Sequence, residues 1–193
     1  LQLPDSPERR IPSPPKGVRR VLAVSPFLDT TAVAEVATWG GKDCPRQLLS
    51  TRMAIETVAG NVHHSLADFE ELLVLPPADH EIVLGDPITA PEEQVPADQI
   101  GLHAKLLFVE HENGAALWLG SPNLTSRAWT RNAECYAQIL LREPTSKAAK
   151  ALRDGLQAFV NLAEPVSLQS ISLDAKADPI QKALSLARNE IAA

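Results

Sequence analysis

Hydrophobic and polar positions divide the first half of the chain into short elements of alternating type. Short apolar runs bounded by Ser, Pro or Gly are typical of buried strands, whereas apolar residues three and four positions apart are typical of helices. The first helix has Thr30 or Thr31 as its expected N-cap. The pattern predicts strands at 18–29 and 46–51, helices at 30–41 and 52–61, and a helix that passes into a strand at 65–75.

A hairpin and further helices are predicted in the second half of the chain. Its two strands join at Glu112-Asn113-Gly114, and Asn-Gly between apolar runs is a strong hairpin signal. The predicted elements are strands at 102–110, 115–120 and 134–141, a short helix at Ser126–Arg131, and helices at 146–166 and 179–193. Because strands and helices alternate early and a hairpin follows, the predicted class is α/β with a mixed sheet.

Proline content and periodicity separate the chain into three parts. Residues 1–17 contain five prolines and no hydrophobic period, so we expect a linker or extended arm. Residues 18–165 form the predicted domain, with a Pro- and acid-rich exposed loop at 84–101, and residues 166–193 form a predicted C-terminal helical tail. The sequence opens with Leu1 and its only methionine is Met53, so we expect a piece of a longer protein or a chain whose start was removed.

Composition narrows the classes of protein that the chain can belong to. Hydrophobic residues make up 45% of the 193 residues, enough for a folded core. Since no apolar run of membrane-spanning length and no signal peptide is present, we expect a soluble, cytoplasmic protein without a membrane partner. The net charge of −6 argues against broad electrostatic binding to nucleic acid but leaves room for a local basic cleft. Cys44 and Cys135 are expected to be buried free thiols.

Polar side chains suited to phosphate chemistry interrupt the strand predicted at 102–110. Alternation places His103 and Lys105 on the same face as Leu107 and Val109. An imidazole can attack phosphorus while an adjacent ammonium neutralises a non-bridging oxygen. The pair is therefore a candidate catalytic site.

The turn after the next strand supplies further candidates. Gly-Ser-Pro-Asn places the Ser121 hydroxyl and the Asn123 carboxamide where both can donate hydrogen bonds to the same phosphate oxygens. Glu134 opens the following strand, where its carboxylate can orient His103. Arg52 and Arg127 are candidate substrate-binding residues, with an exposed helical position as the simpler interpretation of Arg52.

These residues resemble the motif of the phospholipase D superfamily, H-x-K-x4-D followed by G-S-x-N. His103 and Lys105 match the first two positions, and the turn that contains Ser121 and Asn123 matches the second part. Glu134 follows Ser121 by thirteen residues, the position of a Glu in the nuclease members of that superfamily. The resemblance spans Val18 to about Leu141 and implies a mixed β-sheet flanked by helices on both faces.

The match departs from the superfamily pattern in two ways. Glu110 stands where the pattern has Asp, and its distance from Lys105 predicts that it faces away from the His and Lys side chains, in a structural role. The gap to Gly120 is also longer than usual, which the hairpin tip at Asn113 accounts for.

The resemblance implies a reaction as well as a fold. Superfamily members hydrolyse phosphodiesters without a metal or another cofactor: one histidine forms a phosphohistidine and a second histidine protonates the leaving oxygen. Because this chain contains one such motif, the second half of the site is expected from a homodimer mate or from the rest of the parent chain. The expected substrate is nucleic acid, with DNA favoured. The alternatives are a nucleic-acid-binding or assembly module with an idle half-site, and a phospholipase or phosphatidyltransferase.

Overall fold

The computed structural model describes residues 11–61, 64–76 and 102–174. Within these ranges it has strands β1 to β7, helices α1 to α5, and a single 3-10 turn at Leu66–Asp68. The strands are β1 Val18–Val24, β2 Arg46–Ser50, β3 Glu71–Val74, β4 Leu106–His111, β5 Gly114–Gly120, β6 Tyr136–Leu141 and β7 Glu164–Val166. The helices are α1 Thr30–Ala37, α2 Arg52–Ala59, α3 Ser126–Thr130, α4 Lys147–Val160 and α5 Leu168–Asp174.

All seven described strands belong to one sheet, in the order β6-β5-β4-β1-β2-β3-β7. Strands β1, β2 and β3 are parallel neighbours, and every other pairing is antiparallel. This arrangement confirms the predicted α/β class with a mixed sheet. The predicted exposed loop at 84–101 and the last predicted helix at 179–193 lie outside the described residues.

Hydrophobic residues cover both faces of the sheet, as the alternation along β4 predicted. Leu107 and Val109 belong to the cluster that also contains apolar residues of α1, α2, α3 and α5. Phe108 belongs to the opposite cluster, against which Leu152 and Leu156 of α4 pack. Helices therefore lie on both faces, and successive residues of β4 point to opposite layers.

Strand directions decide which ends of the seven described strands meet. At one end of the sheet, the carboxyl ends of β1, β2, β3 and β5 lie beside the amino ends of β4, β6 and β7, because each of these last three strands is antiparallel to its neighbour. Val24 is paired with Leu106, and Gly120 is paired with Tyr136. We call this the site end of the sheet, defined by Val24, Ser50, Leu106, Gly120 and Tyr136.

The hairpin and the helix starts follow simple local rules, with one correction. His111 pairs with Gly114 across a two-residue turn, as Asn-Gly predicted, and Gly114 has a φ of 148°, a region that favours glycine. The N-cap of α1 is Asp29 and not Thr30 or Thr31: its side chain accepts a hydrogen bond from Ala32 N at 2.7 Å. An aspartate preceding the helix is an equally good cap, so propensity alone did not separate the candidates.

Both ends of the predicted domain extend further than the sequence indicated. Ile11, in the predicted arm, is buried in the larger core cluster, and Gly17 O accepts a hydrogen bond from Glu112 N at 3.0 Å. At the other end, the helix predicted at 146–166 stops at Val160, and β7 follows and pairs with β3. The boundary drawn at residue 165 therefore falls inside a strand, and Ile171 of α5 is buried in the core.

The two cysteines are free, but only one is buried. Burial raises the pKa of the Cys44 thiol, an effect that the nearby Arg46 guanidinium partly offsets. The prediction that Cys135 is buried is wrong: it is exposed at the start of the outermost strand, where only its backbone is held. Apolar alternation does not reveal that a strand lies at the margin of a sheet.

Candidate functional site

His103 and Lys105 lie at the site end of the sheet, just before β4 and not within it. The regular strand begins at Leu106, although Gly120 N still donates a hydrogen bond to Lys105 O at 3.2 Å. The predicted strand assignment of 102–105 is therefore wrong, since those residues precede the first residue of the regular strand. The predicted alternation nevertheless continues, because Leu102 and Ala104 pack with the cluster on the α4 face.

Lys105 and His103 are in direct contact through the backbone of the histidine. Lys105 Nζ donates a hydrogen bond to His103 O at 3.0 Å, while the His103 side chain is exposed. Lys105 also lines a shallow recess together with Gly120, Pro122 and Trp129. A cation and an accessible imidazole thus lie on neighbouring positions at the end of the sheet, and these two groups are suited to phosphate binding and attack.

Ser121 and Glu134 are joined across the turn that follows β5. The Ser121 hydroxyl donates a short hydrogen bond to Glu134 Oε2, and Asn132 Nδ2 donates to Glu134 Oε1 at 3.3 Å. Ser121 Oγ in turn accepts from Cys135 N at 3.0 Å. In the described part of the chain, the Glu134 carboxylate therefore bonds to Ser121 and Asn132 and not to His103, and its role as an orienter of His103 stays a prediction.

Asn123 is buried in the same turn without a full set of hydrogen-bond partners. Its side chain is 7% exposed, and its Oδ1 has no hydrogen-bond partner in the described structure. Burying a polar atom unpaired costs free energy, on the order of 1–3 kcal/mol, so a carboxamide at this position needs an explanation beyond packing. Because Oδ1 only accepts hydrogen bonds, the group of this side chain that can bind a phosphate oxygen is Nδ2.

The turn is held in place by Ser25 and Asp29, which the sequence analysis did not identify as part of the site. Leu124 N donates to Ser25 Oγ at 2.8 Å, and Asp29 N donates to Leu124 O at 3.1 Å. The Asp29 carboxylate also accepts from the backbone N–H and the hydroxyl of Ser126. The Asp29 side chain therefore caps α1 and also anchors the start of α3, the helix that follows the turn containing Asn123.

The loop after β1 is thus a positioning element for the candidate phosphate ligands. Ser25 is almost fully buried, and its own carbonyl oxygen accepts from Ser50 Oγ at 2.6 Å. The signal in the sequence was a Ser and an Asp in polar positions directly after a buried strand, each able to accept a backbone hydrogen bond. Their partners could not be found in the sequence because they lie about a hundred residues away.

Glu110 faces away from Lys105, as predicted. It lies on the α4 side of β4, with its Oε1 3.7 Å from Arg153 Nε. The carboxylate is thus remote from the layer that holds the candidate site, and the additional methylene relative to Asp is accommodated by a helix contact. This placement agrees with a structural role for the residue.

Arg52 and Arg127, the two candidate substrate-binding residues, lie on different helices. Arg52 is the exposed first residue of α2, two residues after the carboxyl end of β2, and so it lies at the site end of the sheet. Arg127 is exposed on α3, beyond the turn. Trp118 and Trp129 are buried beside the turn, as expected of packing residues. Among the residues with described positions, no three His, Cys, Asp or Glu side chains are grouped to hold a metal ion.

Coupling between Ser121 and Glu134 can be measured directly. We expect Ser121→Ala and Glu134→Gln each to lower the free energy of unfolding by about 1 kcal/mol, since each removes one partner of a charge-assisted hydrogen bond. The double variant should lose less than the sum, with a coupling energy of about 1 kcal/mol in urea denaturation. Strictly additive losses would show that the contact does not stabilise the turn.

No protein-family model matches the chain, and no curated protein sequence matches it. None of the helices in the described ranges is both long and apolar enough to span a membrane.

Proposed function

We propose that this chain carries one half of a phosphodiesterase site of the phospholipase D type and that its substrate is nucleic acid, with DNA favoured. The proposal includes a phospholipase D-like fold for the sheet and its helices. It also includes a cytoplasmic location and a second histidine-containing half, from a homodimer mate or from the parent chain.

The observation that carries the proposal is the meeting of five motif residues at one end of the sheet. His103 and Lys105 precede β4, and the turn after β5 holds Ser121 and Asn123, with Glu134 bonded to that turn. Residues separated by up to 31 positions in sequence, from His103 to Glu134, are brought together only by the strand order. A structural role for each polar residue alone does not account for their common position.

The proposed roles follow from the chemistry of each side chain. His103 attacks phosphorus if this half supplies the nucleophile, and it protonates the leaving oxygen if the second half does. Lys105 and Asn123 bind the non-bridging oxygens and stabilise the charge that develops on them. Ser121 and Glu134 shape the turn, and Arg52 and Arg127 lie where the flanking phosphates of a polyanion can be bound.

In the proposed reaction, one imidazole nitrogen forms a bond to phosphorus as the P–O bond to the leaving group breaks. The second histidine donates its proton to the departing oxygen. That histidine then accepts a proton from water, whose oxygen attacks phosphorus and releases the first imidazole. The side chains named above supply the positive charge for both steps, so the proposal predicts turnover that does not depend on a divalent metal.

The metal independence gives a direct test of the proposed chemistry. The protein, together with its second half where the parent chain supplies one, is incubated with labelled single- and double-stranded DNA, RNA and bis(p-nitrophenyl) phosphate. We expect cleavage at an equal rate with and without EDTA. Loss of turnover in the chelator, restored by a divalent metal, would contradict the proposal.

The same assay separates the competing functions. Binding of labelled DNA without cleavage, unchanged by His103→Ala, would identify a nucleic-acid-binding module whose site is idle. Hydrolysis of phospholipid vesicles in preference to nucleic acid would identify a lipase. Either result would replace the proposed activity.

A further inference from the structure

Strand β6 ends the sheet with an outer edge that pairs with no other described strand. Its sequence, Tyr-Ala-Gln-Ile-Leu-Leu, contains no charged residue and no proline. Ile139 and Leu140 are 42% and 60% exposed. Edge strands of soluble proteins usually carry a charge, a proline or a bulge that prevents pairing with another chain. Strand β6 has no such residue, so within the described ranges its edge is open to a further strand.

The ladder between β5 and β6 shows which backbone groups are available on this edge. Ser121 N donates to Cys135 O at 2.9 Å, which makes Ser121 and Cys135 a hydrogen-bonded pair. Hydrogen-bonded and non-hydrogen-bonded pairs alternate along an antiparallel ladder. Tyr136, Gln138 and Leu140 therefore direct their backbone N–H and C=O groups away from β5, toward the open edge.

We propose that two copies of the chain pair through β6, antiparallel, about a two-fold axis at Gln138. In this register Gln138 faces Gln138 of the second copy and Tyr136 faces Leu140 of the second copy. All three residues with outward backbone groups are then hydrogen-bonded. A slip by one residue would place residues with outward-directed backbone N–H and C=O groups opposite residues whose groups point toward β5. It would also move the facing side chains to opposite faces of the sheet, so the hydrogen-bonding pattern defines the register.

Charge complementarity beyond the ends of β6 supports a second copy as the occupant. In the same register, Arg142 of each copy lies opposite Glu134 of the other. Arg142 is exposed and has no ion pair with the described residues, and slipping by two residues in either direction loses the match. Opposite charges that face each other across two strands are stabilising, and the two-fold axis makes the contact twice.

The pairing also connects the interface to the candidate site, because Glu134 is bonded to Ser121. Arg142 of the second copy adds a cation beside that pair. The inference does not depend on the proposed function, however. Antiparallel pairing about Gln138 directs the site ends of the two copies to opposite ends of a continuous sheet, so this contact does not supply the second histidine.

Disulfide trapping tests the register. In a Cys135→Ser background, Gln138→Cys places two thiols at the two-fold axis, with Cα atoms about 5.5 Å apart, which suits a disulfide. Leu140→Cys is the matched control, because its two copies lie about 13 Å apart in this register. We expect mild oxidation of the 193-residue chain to give a covalent dimer with Gln138→Cys and none with Leu140→Cys.

Light scattering over a concentration series tests the interface without added thiols. We expect the wild-type chain to approach a dimer mass and Leu140→Lys, a change at an exposed position, to remain a monomer with unchanged circular dichroism. Arg142→Glu should weaken dimerisation roughly tenfold, because both cross-strand pairs become repulsive. Arg19→Glu makes the same charge change at an exposed position on β1 and should have no effect.

A wild-type mass that remains monomeric at every concentration would overturn the inference. So would a dimer that Leu140→Lys leaves intact, since that dimer must use another surface. Trapping of both cysteine variants equally would show random collision and count against the register. Loss of phosphodiesterase activity has no bearing on these readouts, so failure here and failure of the proposed function are distinguishable.

Discussion

Replacement of His103 by alanine is expected to lower phosphodiester turnover by on the order of 10³-fold or more, because the variant lacks the imidazole that bonds to phosphorus or protonates the leaving group. The side chain is exposed, so the fold should tolerate the change. Initial rates on labelled DNA and on bis(p-nitrophenyl) phosphate give the measurement, with circular dichroism as the check on folding.

The chain offers a matched control for this experiment in His111. That histidine is also at an end of β4, but at the hairpin, where its Nδ1 accepts a hydrogen bond from Asn113 N at 3.3 Å. Because the hairpin lies at the opposite end of the sheet from the site end, His111→Ala should leave turnover within a factor of about two. Equal losses in both variants would indicate a general structural effect and contradict the assigned role of His103.

Replacement of Asp29 by alanine is the second change with a large expected effect. The carboxylate caps α1 through Ala32 N and anchors α3 through two hydrogen bonds from Ser126. Loss of a helix cap together with two charge-assisted bonds should lower the free energy of unfolding by about 2–4 kcal/mol. Urea denaturation should show a lower midpoint with an unchanged slope, and Tm should fall by roughly 5–15 °C.

Asp29→Asn and Asp43→Ala complete the comparison. Asparagine is a good N-cap, so Asp29→Asn should retain the contact with Ala32 and lose less stability than Asp29→Ala. Asp43 is an exposed loop aspartate, and its removal should have little effect. If Asp29→Ala were as stable as Asp43→Ala, the hydrogen bonds across the two helices would contribute nothing to stability.

The sequence predicted the face of the sheet on which each β4 residue lies better than it predicted where the strands begin and end. Alternation along 102–110 correctly separated Leu107 and Val109 from Phe108, because a strand buried on both sides carries a period of two that tertiary structure does not change. It could not show that the regular ladder begins only at Leu106, since an extended lead-in has the same pattern. For a similar reason, the apolar pattern did not separate the three-residue strand β7 from the helix predicted before it.

The features of the site that the sequence did not predict are hydrogen bonds between residues that lie far apart in sequence. The spacing of Ser121 and Glu134 marked both residues, but it did not show that they bond to each other. Asp29 was passed over although it is bonded to Ser126, 97 residues away, because no local pattern encodes a contact at that separation. The same holds for β6, whose position at the end of the sheet follows only from the strand order.

The central claim, that the site end of the sheet is half of a phosphohistidine site, is tested most directly by trapping the covalent intermediate. The protein and its second half are quenched with alkali during turnover of labelled DNA, and the adduct is located by mass spectrometry. We predict an acid-labile, base-stable phosphoramidate on a histidine, which is His103 itself where a second copy of the chain supplies the other half. Turnover with no histidine adduct, or with an acid-stable ester on Ser121, would contradict the account.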